Sequence, residues 1–307
     1  MNESATTFRD RRHVAIFVGV SETRGPLHLI ARSLRPFYFS GAANAVLPYD
    51  CPMETIAAGR IAFWEGGSLW VFDVPGAAEA PRRTEMHAHH AFQLTISLGG
   101  SFNFNVEDSL IPGPFAIVAP DTLHAFEARG LVSHLFVEPE SRTGRTLVQL
   151  MQGRPAATLT AAQAQDSPRL ILEAFQHPRD PRGALRDAGK KISDRIAGHA
   201  RVVEPDRRVR QIIKWAIDNL DSPLGIDQAA RGVGLSPSRA SHLFVEETGL
   251  PFRTYVLWLR LVCAVEARLA GRTLTEAAQE AGFSDSAHLS RTFKRMFGLP
   301  AAALEMS

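Results

Sequence analysis

Cysteine is scarce: the 307-residue chain has two, Cys51 and Cys263. Two cysteines cannot build a disulfide framework, so a stapled secreted scaffold is excluded. Long hydrophobic runs are also missing. No stretch approaches the ~18 apolar residues that a membrane span needs. The longest early run is Val14 to Val20, and Met1 to His13 before it is polar and charged. That start has no apolar core long enough for a secretory signal, and a cytoplasmic protein without a membrane partner is the expectation. Nor is there a dominant charge. Lys and Arg number 34 against 32 Asp and Glu. Residues 1–205 carry 21 charges of each sign, and residues 206–307 carry 13 basic against 11 acidic. A strongly basic domain would point to nucleic acid by itself; here such a reading must come from the placement of a few residues. What remains is ordinary globular composition, 45% hydrophobic and 21% charged, which excludes disorder as the main state. The length allows about two domains.

Residues 60–138 have the rhythm of short strands. Arg60-Ile-Ala-Phe-Trp and Ser68-Leu-Trp-Val-Phe-Asp are separated by Gly66-Gly67. Ala91 to Ser97 and Ser101 to Val106 alternate apolar and polar residues, and Phe115 to Ala119 and Val132 to Val137 follow. This spacing predicts a sandwich or barrel of antiparallel strands. From about residue 141 helical spacing takes over, in Thr143–Gly153, Pro168–His177 and Gly183–His199. These read as connecting helices, and everything from Asp206 onward reads as helix. Residues 1–58 stand apart. Met53 could serve as an initiator, so the first fifty-odd residues are read as an upstream extension outside the core fold.

The C-terminal part contains a repeat. Ile226-Asp-Gln-Ala-Ala-Arg-Gly-Val-Gly-Leu-Ser236 matches Leu274-Thr-Glu-Ala-Ala-Gln-Glu-Ala-Gly-Phe-Ser284 at a constant offset of 48. One residue further apart, Ser241, Leu243 and Phe244 match Ser290, Thr292 and Phe293. Each copy predicts a helix-turn-helix. The alanines let a second helix cross closely, and Gly234 and Gly282 sit where the chain leaves a helix with positive φ. Ser236 with Pro237, and Ser284 with Asp285, then cap the next helix. Thr273 with Glu276 is a capping box. Between the copies, Phe252, Tyr255, Val256, Leu259, Val262 and Cys263 line one face of a long helix running from Pro251 to Gly271. Such a brace can present two helices to successive major grooves, about 34 Å apart along the duplex.

Three stretches carry a family resemblance. They are Gly234-Leu-Ser-Pro-Ser with Glu246-Glu-Thr-Gly249, then Tyr255 with Leu259-Arg-Leu261, then Gly282-Phe-Ser-Asp with Ser290-Arg-Thr-Phe-Lys-Arg-Met-Phe-Gly298. Together they resemble the DNA-binding domain of AraC/XylS-type transcription regulators, over roughly Asp206 to Leu304. The end departs from the family pattern: Pro300-Ala301 replace its usual Ser-Pro, and Leu304-Glu305 its terminal aromatic and Arg. The resemblance implies that Ser238, Arg239, Ser241 and His242 face DNA in the first unit. In the second unit it implies Ser286, Ala287, His288, Ser290 and Arg291. Arg can bond guanine bidentately, Ser bonds several bases and Ala can touch a thymine methyl. Lys294 and Arg295 suit phosphates better than bases.

A second resemblance lies in the strand-rich part. His87-Ala-His89-His90-Ala-Phe-Gln93 and Pro120-Asp-Thr-Leu-His124 are similar to the two cupin signatures, and cupin-like barrels commonly form the sensor half of AraC/XylS-type regulators. The implied pocket is lined by Phe92, Phe102, Phe104, His87, His89, Gln93 and His124. His87, His89 and His124 could hold a divalent metal, since imidazole suits Zn, Fe, Cu or Ni. Gln93 stands where the usual carboxylate ligand would be, which weakens such a site; the expectation is no obligatory cofactor.

The expected fold is therefore α+β with two domains: a cupin-like jelly-roll barrel over 59–141, a helical linker and dimerisation region over 142–205, and a DNA-binding domain with two helix-turn-helix units over 206–307. The expected function is a sequence-specific transcription regulator, not an enzyme. Its partners would be an operator in double-stranded DNA, a small-molecule effector, a second copy of the chain and, for an activator, RNA polymerase. Two alternatives stay open. One is a cupin-type metalloenzyme fused to a DNA-binding domain. The other is a regulator that needs no effector.

Overall fold

The computed structural model describes residues 57–75, 82–198 and 204–306. Cys51, Met53 and nearly all of the expected extension lie outside these residues. Its last two positions do not: Ala57 and Ala58 open the first strand, so the boundary at 58 is corrected to 56 or earlier. The architecture is α+β. Hairpin β1 (Ala57–Trp64) and β2 (Gly67–Val74) comes first. Then come β3 (Arg82–Arg83), β4 (Phe92–Ser97), β5 (Ser101–Val106), β6 (Ser109–Pro112), β7 (Phe115–Val118) and β8 (His124–Val137).

The long β8 organises the domain. Its first half pairs antiparallel with β5, and β5 with β6. Its second half pairs antiparallel with β2 and β4. The switch falls at Gly130, whose φ of +72° lets the strand bend from one sheet into the other. A side chain there would also press on the Gly100 backbone, 3.0 Å away. The two half-sheets thus face each other across an aromatic interior of Trp70, Phe72, Phe102, Phe104, Phe126 and Phe136.

Helix α1 (Arg142–Met151) follows. Next come strand β9 (Ala156–Thr158), which extends the sheet beside β7, and helices α2 (Ala161–Ala164), α3 (Ser167–Phe175) and α4 (Pro181–Ala197). The three helical segments expected between 143 and 199 are thus present as α1, α3 and α4. They cover the outer face of the sheet, where Phe92, Leu94, Ile96, Leu147, Ile171 and Leu185 form a second core.

The C-terminal part is helical: α5 (Arg207–Asp218), α6 (Ile226–Gly232), α7 (Pro237–Thr248), α8 (Phe252–Leu269), α9 (Leu274–Glu280) and α10 (Ser286–Phe297). The bracing helix is found where its apolar face predicts it. Trp258, Leu261 and Val265 are buried as well, because α8 packs on both helix pairs and on the β-domain. After α10 the chain returns to the first domain. Short strand β10 (Leu304–Met306) lies parallel to β1, a pairing that three residues with no alternation could not announce. The interior of the β-domain and the core of the helical domain are one continuous apolar cluster.

Candidate functional site

Two surfaces merit building from the residues upward. The first is formed by α7 and α10. Ser236 caps α7 by accepting from the Arg239 amide at 3.3 Å, with Pro237 in the first turn. In the second pair the cap is Asp285 rather than Ser284. Its carboxylate accepts from the His288 amide at 2.6 Å, and Ser284 donates to it at 3.0 Å. Those bonds hold the Asp285 carboxyl below its usual range, and an anion suits a helix N-terminus better than a hydroxyl does. The Thr273–Glu276 capping box is present.

These caps fix which side chains point outward. Ser238, Arg239, His242, Ala287, Arg291 and Arg295 are exposed. Ser241 and Ser290 are turned back: each hydroxyl donates at 2.9 Å to a carbonyl of its own helix, Pro237 and Ser286 respectively. Ser286 and His288 are half-buried, and His288 Nδ1 lies 3.2 Å from the Ser284 hydroxyl. Lys294 is exposed but engaged, its Nζ 2.7 Å from the Glu85 carboxylate of the β-domain.

The second surface lies inside the β-domain. His87, His89 and His124 are buried, and one ligand nitrogen from each lies within 4.8 Å of the others. Each ring is oriented by its own neighbourhood. Nδ1 of His87 sits 2.8 Å from the Glu85 carbonyl, that of His89 2.9 Å from Ala91, and that of His124 2.8 Å from Thr122. A carbonyl can only accept, so each Nδ1 carries the proton and each Nε2 presents a lone pair. Burial is the first reason these rings stay neutral. It pushes His87 down to about 4 and His124 down to about 2, and it lowers His89.

Gln93 joins them. Its Oε1 lies 2.9 Å from His89 Nε2 and 3.3 Å from His124 Nε2, while its Nε2 lies 3.0 Å from His134 Nδ1. Oxygen facing two lone pairs is repulsive. Two arrangements relieve it: a cation among the three imidazoles and the amide oxygen, or an amide turned over so that its NH2 donates to both rings.

Beside this cluster is a small, partly open cavity of about 80 Å³. His87 and Gln93 line it as expected. Phe102 and Phe104 pack behind its wall, against Phe126. Phe92 does not belong to it. Gln93 faces the interior, so its strand neighbour Phe92 faces the helical layer instead. The aromatic lining comes from Trp70, Phe72, Phe126 and Phe136. Trp70 and Phe72 alternate on β2, while Phe126 and Phe136 come from the two halves of β8 on either side of the Gly130 bend. His134 is also in the lining, and so are Phe297 and Leu299 from the far end of the chain. No local pattern pointed to those two.

A buried polar seam joins the domains nearby. Tyr255 of α8 donates to Glu140, which also meets His90 Nε2 at 3.0 Å. Trp258 Nε1 donates to Glu138 at 3.5 Å. Burial and the Glu140 charge raise the Glu138 carboxyl; burial opposes ionisation of Glu140, but His90 and the Tyr255 bond outweigh it and lower that carboxyl. Sequence spacing did not pair these residues: Tyr255 and Trp258 lie over a hundred positions from Glu140 and Glu138, and His90 lies fifty from Glu140.

Comparison with known proteins agrees with the first surface. Residues 229–305 match a protein family described as "Helix-turn-helix domain". An uncharacterised HTH-type transcriptional regulator of Escherichia coli, YpdC, is 34% identical over 92 residues, which is 29% of this chain and 31% of that protein. The HTH-type transcriptional regulator NimR of Escherichia coli is 22% identical over 230 residues, covering 69% of this chain and 79% of NimR. The multiple antibiotic resistance protein MarA of Salmonella typhimurium is 28% identical over 93 residues, 30% of this chain and 73% of MarA. Among solved structures, apo ToxT from Vibrio cholerae superposes with a TM-score of 0.52 at 8% identity, over 78% of this chain and 97% of ToxT. That likeness concerns the fold, and it extends over both domains. Among the described residues, no helix is long and apolar enough to cross a membrane.

Proposed function

The chain carries an AraC-type helix-turn-helix domain, and from that premise we propose that it is a sequence-specific transcription regulator whose β-domain is a cupin-like sensor of a small molecule. The observation that carries this reading is the matched pair α7 and α10. Both are capped at the outer end, both expose an arginine near it, and α8 braces them. In this reading α6–α7 and α9–α10 are two DNA-reading units. Arg239, His242 and Arg291 address base edges, and Ser238, Ala287 and Arg295 flank them. Ser241 and Ser290 reach bases only by giving up their helix carbonyls. Lys294 reaches a phosphate only by leaving Glu85. The domain boundaries near 141 and 206 are part of the proposal, as is a homodimer, since a symmetric pair doubles the readable site.

The test is selection of bound fragments from random DNA, with salt dependence recorded because phosphate contacts make affinity fall with salt. A defined site recovered from the intact chain supports the reading. Uniform binding to all sequences would overturn it.

A second reading concerns the cluster of His87, His89 and His124. The three ligand nitrogens within 4.8 Å of one another favour a divalent cation held with the Gln93 amide oxygen, where its chemistry would be ligand polarisation. This chain's part is to hold the rings by their carbonyl-bonded Nδ1 atoms. Elemental analysis of untagged protein tests it: near one equivalent of metal supports the site, and under a tenth excludes a tight one. Gln93 replaces the carboxylate of the familiar two-His, one-carboxylate iron oxygenase set, which argues against that particular chemistry at such a site.

A further inference from the structure

The repeat of the helical domain continues beyond α7 and α10. Thr248-Gly-Leu-Pro251 follows the first and Phe297-Gly-Leu-Pro300 the second. Both glycines adopt left-handed backbone, φ +81° at Gly249 and +69° at Gly298. Their surroundings differ completely. A Cβ on Gly249 would meet nothing within 4 Å. A Cβ on Gly298 would lie 2.3 Å from the Glu85 carbonyl oxygen and 2.6 Å from His87 Nδ1. The Glu85 amide donates to the Gly298 carbonyl at 2.7 Å.

The one side chain that differs in these four-residue segments is the one that matters. Thr248 folds its hydroxyl back onto the Phe244 carbonyl. Phe297, its counterpart, enters the β-domain. Its ring centre lies 5.0 Å from Trp70, 5.9 Å from Phe136 and 6.1 Å from His89. The space left beside it is the cavity of about 80 Å³. A dry cavity that takes up benzene measures about 150 Å³. The space beside Phe297 is about half of that, so a ring-sized molecule would have to take the place of this side chain.

We propose that Phe297 is a built-in occupant of the sensor pocket, and that the effector is a monocyclic aromatic molecule bearing one hydroxyl, which takes the place of this ring and releases the C-terminal end of α10. The proposal rests on the reading of the chain as a regulator and adds the ligand class and its route to DNA. The class follows from the walls. Trp70, Phe72, Phe126 and Phe136 offer aromatic faces and edges. Gln93, His87 and His134 offer donors and acceptors to a hydroxyl, and among the described residues the only charged side chain in the lining is Arg83 at the exposed rim. The coupling follows from exclusion. An effector that occupies the site only when Phe297 has left binds one state and not the other, which is the condition for shifting an equilibrium.

The test uses the full chain and phenol as probe, with cyclohexanol and benzoate as controls. Binding is measured calorimetrically on wild type, Phe297→Ala and Phe297→Leu, and amide exchange is followed over residues 286–299. Phe297→Ala should bind phenol at least tenfold more tightly than wild type. Phe297→Leu, which keeps the site filled and guards against simple misfolding, should fall between them. Cyclohexanol should bind at least fivefold more weakly than phenol, and phenol should speed exchange over 286–299 in wild type. Equal phenol affinity in wild type and Phe297→Ala, or no binding to either, overturns the proposal. Benzoate binding as tightly as phenol overturns the assigned class. DNA selection with Phe297→Ala, in which the end of α10 is already freed from the pocket, is the separate arm. Its failure would count against the regulator reading and leave the pocket result standing.

Discussion

The two helix pairs of the C-terminal domain share a design and differ in what they touch. Helices α7 and α10 have twelve residues each, a side-chain cap in front and a left-handed glycine behind. Beyond that point they part. Among the described residues, α7 has an ion pair to helix α1 of the helical layer, Arg145 to Glu247 at 2.7 Å. Helix α10 is held by Lys294 on Glu85, by the backbone bond to Gly298, by the Phe297 ring in the β-domain and, further on, by β10 on β1. Duplication supplied two similar heads. In the proposed reading, the second is also the contact through which the other domain acts, at the expense of freedom to meet DNA.

That contrast is broken most severely at the paired glycines. Alanine at either position must adopt a left-handed backbone, which costs about 1–2 kcal/mol. Gly249→Ala should cost no more than that in urea denaturation. Gly298→Ala also collides with Glu85 and His87, so it should cost at least twice as much or undock the helix end. Equal losses would mean the two exits are equivalent. The seam between domains comes next. Tyr255→Phe removes a donor from Glu140, which is buried with His90, and a buried group short of a partner costs about 1–3 kcal/mol. A normal denaturation midpoint for this variant would show that the seam adds nothing to domain attachment.

Arginine replacements sharpen the comparison on the DNA side. Arg239→Ala and Arg291→Ala should each weaken operator binding by about 1–3 kcal/mol and relax one base position. With α10 held by the β-domain, Arg239→Ala should cost at least as much as Arg291→Ala in the unliganded chain. Unchanged affinity and sequence preference for either variant would remove that residue from the interface.

How much of this was readable in the sequence depends on the range of the interactions. The alternation from Arg60 to Val137, the alanine pairs, the caps and the apolar face of α8 are local signals, and they locate β1, β2, β4, β5, β7, the second half of β8 and the longer helices, while β3, β6, β9, β10 and α2 were not found. Errors of one step arose where two local residues compete, as Ser284 and Asp285 do for one cap. Phe92 was misassigned because this strand is buried on both faces and turns its polar residues, Gln93 and Thr95, to the interior, so its apolar face is not the pocket face. The histidine cluster was legible from spacing. Its neighbour His134 was not, because it reaches the cluster only through the register of β8 against β4. Phe297, Tyr255 and β10 were invisible for a stronger reason. Each looks like ordinary core or tail until the two domains meet.

The acidity of Glu266 on α8 gives a pH-dependent form of the comparison, because this helix serves both pairs. Burial pushes its carboxyl up to about 7, against about 4.3 for a free glutamate. Between those values the folded chain holds a proton that the unfolded chain has lost. Stability from this group therefore falls as pH rises through that window and levels off above it. Glu266→Gln should flatten that part of the profile and raise the melting temperature at pH 7.5 more than at pH 5. A rise of the same size at both values would show that burial does not perturb this carboxyl.

The smallest effect expected is at Lys294. Its bond to Glu85 joins two largely exposed side chains, and such pairs contribute about 0–1 kcal/mol. Lys294→Ala should leave the denaturation midpoint almost unchanged, since Phe297 and the Gly298 backbone bond carry the docking. Its effect on DNA affinity separates two roles for the residue. If the ammonium stays on Glu85 when DNA binds, the slope of log affinity against log salt is unaltered. If it moves to a phosphate, the slope falls by about one unit, as expected for one lost phosphate contact. The second outcome is expected here, because DNA engagement of α10 then requires the same release that an effector would bring. An unchanged slope together with full DNA affinity would show that α10 reads DNA while still clamped, and the asymmetry between the two helix pairs would lose its functional meaning.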